Sequence, residues 1–513
     1  MVRNFLKLAL YGGLGFAFLI GGYFLYLRYF SAPAQTSSPP SARRAPIDVD
    51  ALASRMKSRQ DIYQQLRDQA LAVYGEQNPG THSYDPQAKE AIQLAAYLWV
   101  WGDFYGEGLA KRSCDDASFV THKGCADPFF RVVSNAPFYI HHYSTKAIDA
   151  DPLRETAETL ATSGYPDAFK LEAYQTAISD YVSVLESPNK TDPALDKTVL
   201  ALPDLIDAWM GLYGKLVSAG LPDDLVYAKG LELLDLCKEQ EDPLKRAGAG
   251  IDTILGAAEL SAKEGVKDAL EGRFYVEDAW LARGSGWANT ITPQGQQDFE
   301  ARLATAEQIL TAAYAHNPQQ IAIARNMLGV ELGQGQGRER METWFGRAMA
   351  VDPDDFMACQ IKETYLLPRW HGSNQEAWNF GVDCAKGENW ESKIPLILID
   401  EAEYLQFSIP DFYADGRTWK VLDAVFRGYL QHYPNSIFYR SRYARFAVLG
   451  SHWDIAREQF QILGRDWDRD VFSDEEYSEM SLLAKENPVY RFYDVCRDLF
   501  SGGIISKLLN NPS

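Results

Sequence analysis

Recognisable reaction chemistry is what this sequence has least of. No G-x-S-x-G, H-E-x-x-H or G-x-x-x-x-G-K-[ST] occurs, and no G-x-G-x-x-G stands between a strand and a helix. Histidine is sparse, and the one adjacent pair, His141-His142, has no further ligand at helical spacing, which argues against a metal there. Basic runs are missing too: the formal net charge is −20, so nucleic acid and anionic lipid surfaces would repel the body of the chain. Clean strand alternation is hard to find. Gly and Pro, at 38 and 24 of 513 residues, are too few for a disordered chain, and 46% apolar content suffices for more than one core.

One long apolar run is present. Leu8 to Leu27 holds twenty residues without a charge. As a helix it is about 30 Å long, the thickness of a bilayer's hydrocarbon layer. A cleaved signal peptide with Ala32-Pro33-Ala34 as its cleavage site is the rival reading, but signal cores are shorter. We therefore expect residues 1–30 to be a transmembrane anchor. Ala9, Gly13, Ala17 and Gly21 recur every four residues in it, a stripe through which two such helices would pack into a homo-oligomer. Arg3, Lys7 and the amino terminus precede the run, whereas Arg28, Arg43 and Arg44 follow it. The narrow basic excess before it favours the N-terminus inside and the body outside the cytoplasm.

Residues 31–47 form a Pro/Ser linker, S-A-P-A-Q-T-S-S-P-P-S-A-R-R-A-P-I. Beyond it Asp48–Tyr74 has the spacing of one amphipathic helix, and Gln87–Arg112 that of a strongly apolar one. Further helices are predicted near 153–163, 168–185, 203–218, 224–238, 243–264 and 488–500, most opened by Asp or Pro. We expect an N-terminal helical domain over 48–270 and a second domain over 271–513.

That second domain repeats. Leu328, Gly329, Leu332, Met341, Phe345, Ala348 and Pro353 fall almost on the tetratricopeptide pattern. Ala306 and Met341 stand 35 residues apart, and Leu422 and Ala456 34 apart, the latter two each followed four residues on by Phe426 and Phe460. Between Asn389 and Thr418 the register is lost at I-P-L-I-L-I-D-E-A-E-Y-L. The fold expected is all-α: an anchor helix plus an irregular tetratricopeptide-like α-solenoid of helical hairpins.

The strings Trp280-Leu-Ala-Arg-Gly-Ser-Gly-Trp287, Trp344–Met349 and Pro368-Arg-Trp-His-Gly-Ser373 carry a resemblance. Over about residues 274–400 the chain resembles an uncharacterised bacterial domain-of-unknown-function family, tetratricopeptide-like, with W-x-A-R-G-x-G and P-x-W-x-G-S signatures. The resemblance implies a helical-repeat fold and a bacterial source, and it brings no activity. P-L-I-L-I-D-E-A-E lacks the histidine that the family pattern leads one to expect after this apolar run.

Five residues are the ligand-binding candidates. Trp280 and Arg283 stand where a helix ends in glycine, a structural C-cap in the plain reading and a guanidinium presented to an anionic ligand in the functional one. Arg369, Trp370 and His371 share a hairpin turn, where loops carry function more often than packed helices. G-Q-G-Q-G at 333–337 is expected to be a turn between the helices of one hairpin. Cys114 and Cys125 bracket a polar stretch that has the look of a disulfide loop, which fits better than a zinc site with His122 and Asp127. Cys359 and Cys384 would meet across a hairpin; the alternative is that all are buried thiols.

These observations point to a single-pass protein of the bacterial inner membrane with a periplasmic body, acting as a scaffold for a protein or peptide partner. Its acidic surface favours a partner of basic character. No catalytic residue, cofactor or metal is assigned, and the leaning is away from an enzyme. Two alternatives stay open: an envelope-polymer-processing enzyme with a carboxylate and aromatic cleft, and a self-associating structural element.

Overall fold

The computed structural model describes residues 47–56, 59–79, 85–102, 109–135, 151–185, 193–239, 265–284, 290–387 and 389–485. Among them are twenty α-helices, two short 3₁₀ segments and no strand, so the chain is all-α. No helix of the described residues is long and apolar enough to cross a membrane. The anchor expected at residues 8–27, its stripe Ala9, Gly13, Ala17 and Gly21, the linker, and the helices expected at 243–264 and 488–500 lie outside the described residues.

The entry signals act as the sequence predicts. Asp85, Thr292 and Asp355 each accept a hydrogen bond from a first-turn amide, Gln87 N, Gly295 N and Ala358 N, and proline follows the first two directly. Asp415 accepts from both Arg417 N and Thr418 N. Two compact units result, dividing between Ser373 and Asn374. That boundary falls inside the region where one continuous repeat domain was expected. Among the described residues no break falls near 270, because Val266–Arg283 packs on Asp223–Glu239 as well as on Pro293–His316.

Unit 1 contains α1 (Val49–Arg55), α2 (Gln60–Gln77), α3 (Pro86–Trp101), α4 (Leu109–His122), α5 (Pro128–Asn135), α6 (Asp151–Ala161), α7 (Asp167–Leu185), α8 (Pro193–Ser218), α9 (Asp223–Glu239), α10 (Val266–Arg283), α11 (Pro293–His316), α12 (Ile321–Gln334), α13 (Arg338–Val351) and α14 (Phe356–Leu366). Helix α3 is enclosed: every residue from Glu90 to Val100 is buried. From α10 onward consecutive helices pack in pairs, and α12 touches α10, α11, α13 and α14. The repeat residues explain this. Leu328, Leu332, Met341 and Ala348 are buried, and at Gly329 a Cβ would stand 3.2 Å from Val276, so the missing side chain lets α12 approach α10.

Three expectations are corrected here. The helix expected over 48–74 is two, because Arg59 takes a left-handed backbone (φ 67°) and uses its guanidinium on Val100 O, at 2.9 Å, and on Asp224. The helix expected over 87–112 ends at Gly102, whose φ of 71° glycine tolerates. The stretch between Cys114 and Cys125, expected as a loop, is mostly α4.

Unit 2 contains α15 (Asn374–Ala385), α16 (Ile397–Leu405), α17 (Gly416–His432), α18 (Ile437–Leu449), α19 (Trp453–Leu463) and α20 (Asp474–Lys485). The segment where the repeat register is lost forms a 3₁₀ turn, Ile394–Leu396, leading into α16. Leu422, Phe426, Ala456 and Phe460, equivalent by the 34-residue spacing, all lie in one buried cluster. Arg442 of α18 reaches back to Asp400 and Glu403 of α16, at 2.7 and 3.0 Å.

Candidate functional site: an arginine between two tryptophans

The two signature strings, some ninety residues apart, fold to one corner of unit 1. Helix α10 stops at Gly284, whose amide donates to Trp280 O at 3.1 Å and whose φ is 76°. Trp280, 4% exposed, therefore points into the end of the hairpin stack, where Phe299 of α11 meets it edge-on at 4.8 Å. The Trp370 ring also meets Trp280 edge-on, at 5.5 Å and 89°. Arg283 lies against both: its Cζ is 5.7 Å from the Trp280 ring and 5.9 Å from that of Trp370, within cation–π reach of each. Its Nη1 donates to Gly284 O at 3.3 Å. Burial lowers the pKa of this guanidinium.

The G-Q-G-Q-G stretch, expected as a turn over 333–337, is shorter: Gly333 and Gln334 close α12 and only residues 335–337 turn into α13, and the corner explains its glycines. A Cβ on Gly333 would stand 2.5 Å from Leu303 and 2.9 Å from Phe299. Gly335 takes φ 61°, and a Cβ there would sit 2.5 Å from the His371 ring. His371 is placed by three contacts. Its Nε2 is 2.9 Å from Leu332 O, its amide donates to Tyr365 O at 3.1 Å, and its ring packs on Tyr365 at 4.5 Å. Since a carbonyl can only accept, Nε2 must carry a proton. His371 is thus a fastening for the turn, and Arg369 beside it is exposed.

An ionic network that sequence reasoning missed supports the same edge. Arg340 of α13 reaches Glu307 of α11 at 2.7 Å and the fully buried Glu331 of α12 at 2.6 Å, while Gln334 donates to Glu307 at 2.9 Å. Burial raises the Glu331 pKa against the pull of Arg340. Burial also acts on Glu307, but the bonds from Gln334 and Arg340 outweigh it and hold that carboxyl low. The Arg338 guanidinium lies 5.6 Å from the Tyr365 ring.

Unit 2 repeats the histidine fastening. His452 Nε2 is 2.9 Å from Tyr413 O, and the ring stacks on Trp419 at 3.8 Å. In both units the accepting carbonyl lies 39 residues before the histidine.

A scan against protein-family models matches no family, and no curated protein or solved structure matches the chain.

The other candidates are structural. Cys114, Cys125, Cys359 and Cys384 are buried thiols, none of them in a disulfide. The Cys114–Cys125 disulfide is corrected by geometry. Cys114 lies within α4 and Cys125 beyond its end, where Cys125 N donates to Val120 O at 3.3 Å. Instead Cys114 Sγ donates to Ser134 O, and Cys125 Sγ to Asn78 Oδ1. Among the described residues no group of three or more His, Cys, Asp and Glu could hold a metal; His141, His142 and Trp287 lie outside them. Lys229, 4% exposed, is held by Glu232 at 2.9 Å and approached by Glu172 at 3.8 Å; the carboxylates outweigh the burial that would neutralise it. An apolar cavity of about 160 Å³ in unit 2, bordered by Val382, Trp390, Val421 and Val425, offers little to orient a ligand.

Proposed function

We propose that the chain is a membrane-tethered helical-repeat scaffold of the bacterial envelope that binds a protein or peptide partner, and that residues 274–400 belong with the domain-of-unknown-function family they resemble. The observation behind this reading is the corner of unit 1. Two distant signature strings converge on it, and they supply Trp280, Arg283 and Trp370 in mutual contact beside the exposed Arg369. Tryptophan and arginine are the residues on which protein interfaces most often concentrate their binding energy. Hairpin turns present them without disturbing the packed helices that hold them.

The test is capture of a partner from envelope extract by the full chain in nanodiscs. A stable partner held by the native chain and released by Arg369→Ala combined with Trp370→Ala supports the reading. No retained partner, or one held equally by the variant, rejects it. Non-cooperative retention that disappears in moderate salt counts as rejection, since an acidic surface attracts basic proteins without specificity.

A further inference from the structure

The remaining signature string, Trp344–Met349, has no part in the corner. It lies on α13 and meets α11 at Tyr314, about 22 Å along that helix from Phe299. There the Arg347 guanidinium fills the angle between two rings set edge to face. Its Cζ is 4.1 Å from the centre of the Trp344 ring and 4.5 Å from that of Tyr314, and the rings stand at 81°. Its charge is not neutralised. Arg302, Arg325, Arg338 and Arg340, the other arginines of α11 to α14, each meet a carboxylate, at 3.0, 2.6, 3.6 and 2.7 Å. Arg347 meets none among the described residues and donates no hydrogen bond. In a chain with 70 acidic residues against 50 basic ones, an open guanidinium runs against composition.

The surface around it is small and carries little charge. Thr343, Arg347 and Ala350 recur at i, i+4 and i+7, and Thr311 and Ala315 at i and i+4, so each set shares one face of its helix. All but the half-buried Arg347 are exposed, as is Gly346, where a Cβ would meet nothing within 4 Å. Glycine inside an exposed helix is destabilising, and no described neighbour requires this one. Glu307 and Glu342, which flank these positions, are already held by Arg340 and Lys362. Glu339 lies two turns from Arg347, about 12 Å along α13. Asp352, past the end of α13, accepts from Asp354 N within its own turn.

We propose that the α11–α13 face of unit 1 docks an acidic helix of a partner protein, one of whose carboxylates pairs with Arg347. The assignment rests on the scaffold reading and gives it a second contact surface. Charge complementarity selects the acid: the guanidinium is the charge this face leaves open, and its fork matches two carboxylate oxygens. Small residues select the helix, because they let a second helix axis approach to about 8–10 Å. The two rings hold the guanidinium before the partner arrives, which lowers the ordering cost of binding. The acidic body attracts basic proteins at long range, whereas contact here is decided by the one open charge.

The test places p-benzoylphenylalanine at Ala350 of the full chain in native membranes, and crosslinked segments are read by mass mapping. The expected product joins this face to a segment of another protein with Asp or Glu at helical spacing. Arg347→Gln, which keeps an apolar stem on the rings, should cut the yield about tenfold, the range of one charge-assisted hydrogen bond. Arg347→Lys, which keeps the charge and loses the fork, should fall between. Gly346→Trp, which fills the face and leaves the charge, should abolish the product with helicity unchanged. No product, a product with a second copy of this chain or with a basic segment, or a yield indifferent to Arg347→Gln overturns the proposal. A partner captured alike by the native chain and by Arg347→Gln, yet released by Arg369→Ala with Trp370→Ala, leaves the scaffold reading in place and removes this face from it.

Discussion

Arg442→Met tests how far a buried ion pair holds unit 2 together. Arg442 is 4% exposed, donates to Asp400 Oδ1 at 2.7 Å and Glu403 Oε1 at 3.0 Å, and lies 5.4 Å from the Phe438 ring and 5.6 Å from that of Tyr439. Methionine keeps the apolar contact with those rings but takes the guanidinium away from Asp400, leaving it only the longer-range pull of Lys393. Breaking a sealed pair from one side costs about 3–5 kcal/mol. Asp400 keeps 24% of its side chain at the surface and Glu403 keeps 41%, so water recovers part of that. We expect a loss near the lower bound, about 3 kcal/mol. Sign follows from linkage. Burial already raises the Asp400 pKa, and removing Arg442 raises it further. An acid with a raised folded-state pKa loses stabilisation as pH rises from its unfolded value through its folded one. The deficit of Arg442→Met should therefore be largest at neutral pH and shrink in mild acid. Urea unfolding at both pH values measures it, and hydrogen exchange over α16 and α18 localises it to unit 2. A loss under about 1 kcal/mol, or one indifferent to pH, refutes the reasoning.

Gly335→Ala should destabilise unit 1 by about 1–2 kcal/mol, from its positive φ and from the His371 ring 2.5 Å from the new Cβ. Gly346→Ala, exposed inside α13 with nothing within 4 Å, should stabilise by up to about 1 kcal/mol; equal thermal midpoints for the two variants contradict the picture. Burial raises the pKa of Asp180 to about 6, so this group's contribution declines as pH climbs from about 4 to 6. Asp180→Asn should flatten the stability difference across that window, which urea midpoints would show. Mass mapping without reductant should find Cys114 and Cys125 unlinked, and alkylation should reach them only on unfolding, since they are 6% and 5% exposed. A native 114–125 disulfide would contradict the helical path between them.

Much of the fold was legible because its cues are local. Asn317-Pro318 and Asp352-Pro353 close α11 and α13 where proline ends a helical pattern, and a turn at 335–337, within the glycine-rich stretch, separates α12 from α13. What misled was composition read without context. The polar residues between Cys114 and Cys125 suggested a loop, yet Ser113, Cys114, Ala117 and Val120 make a buried stripe on α4. Arg59 gave no warning of a break, since its left-handed backbone is sustained by contacts with Val100 and Asp224, distant in sequence. The same holds for the corner. Trp280 and Arg283 form one group in the sequence, and Arg369, Trp370 and His371 another some ninety residues on. Their meeting depends on Gly333 and Gly335 being small where α12 ends, which spacing does not reveal. Arg340 and Glu331 were invisible because, among 70 acidic residues, pairing shows only once the chain is folded.

The imidazole fastenings have a bearing on which changes of sequence the turns withstand. His371 and His452 each donate an N–H to a main-chain oxygen, that of Leu332 and that of Tyr413. Every residue type carries such an oxygen, so each latch depends on its imidazole and on the backbone path, and not on the side chain at the receiving position.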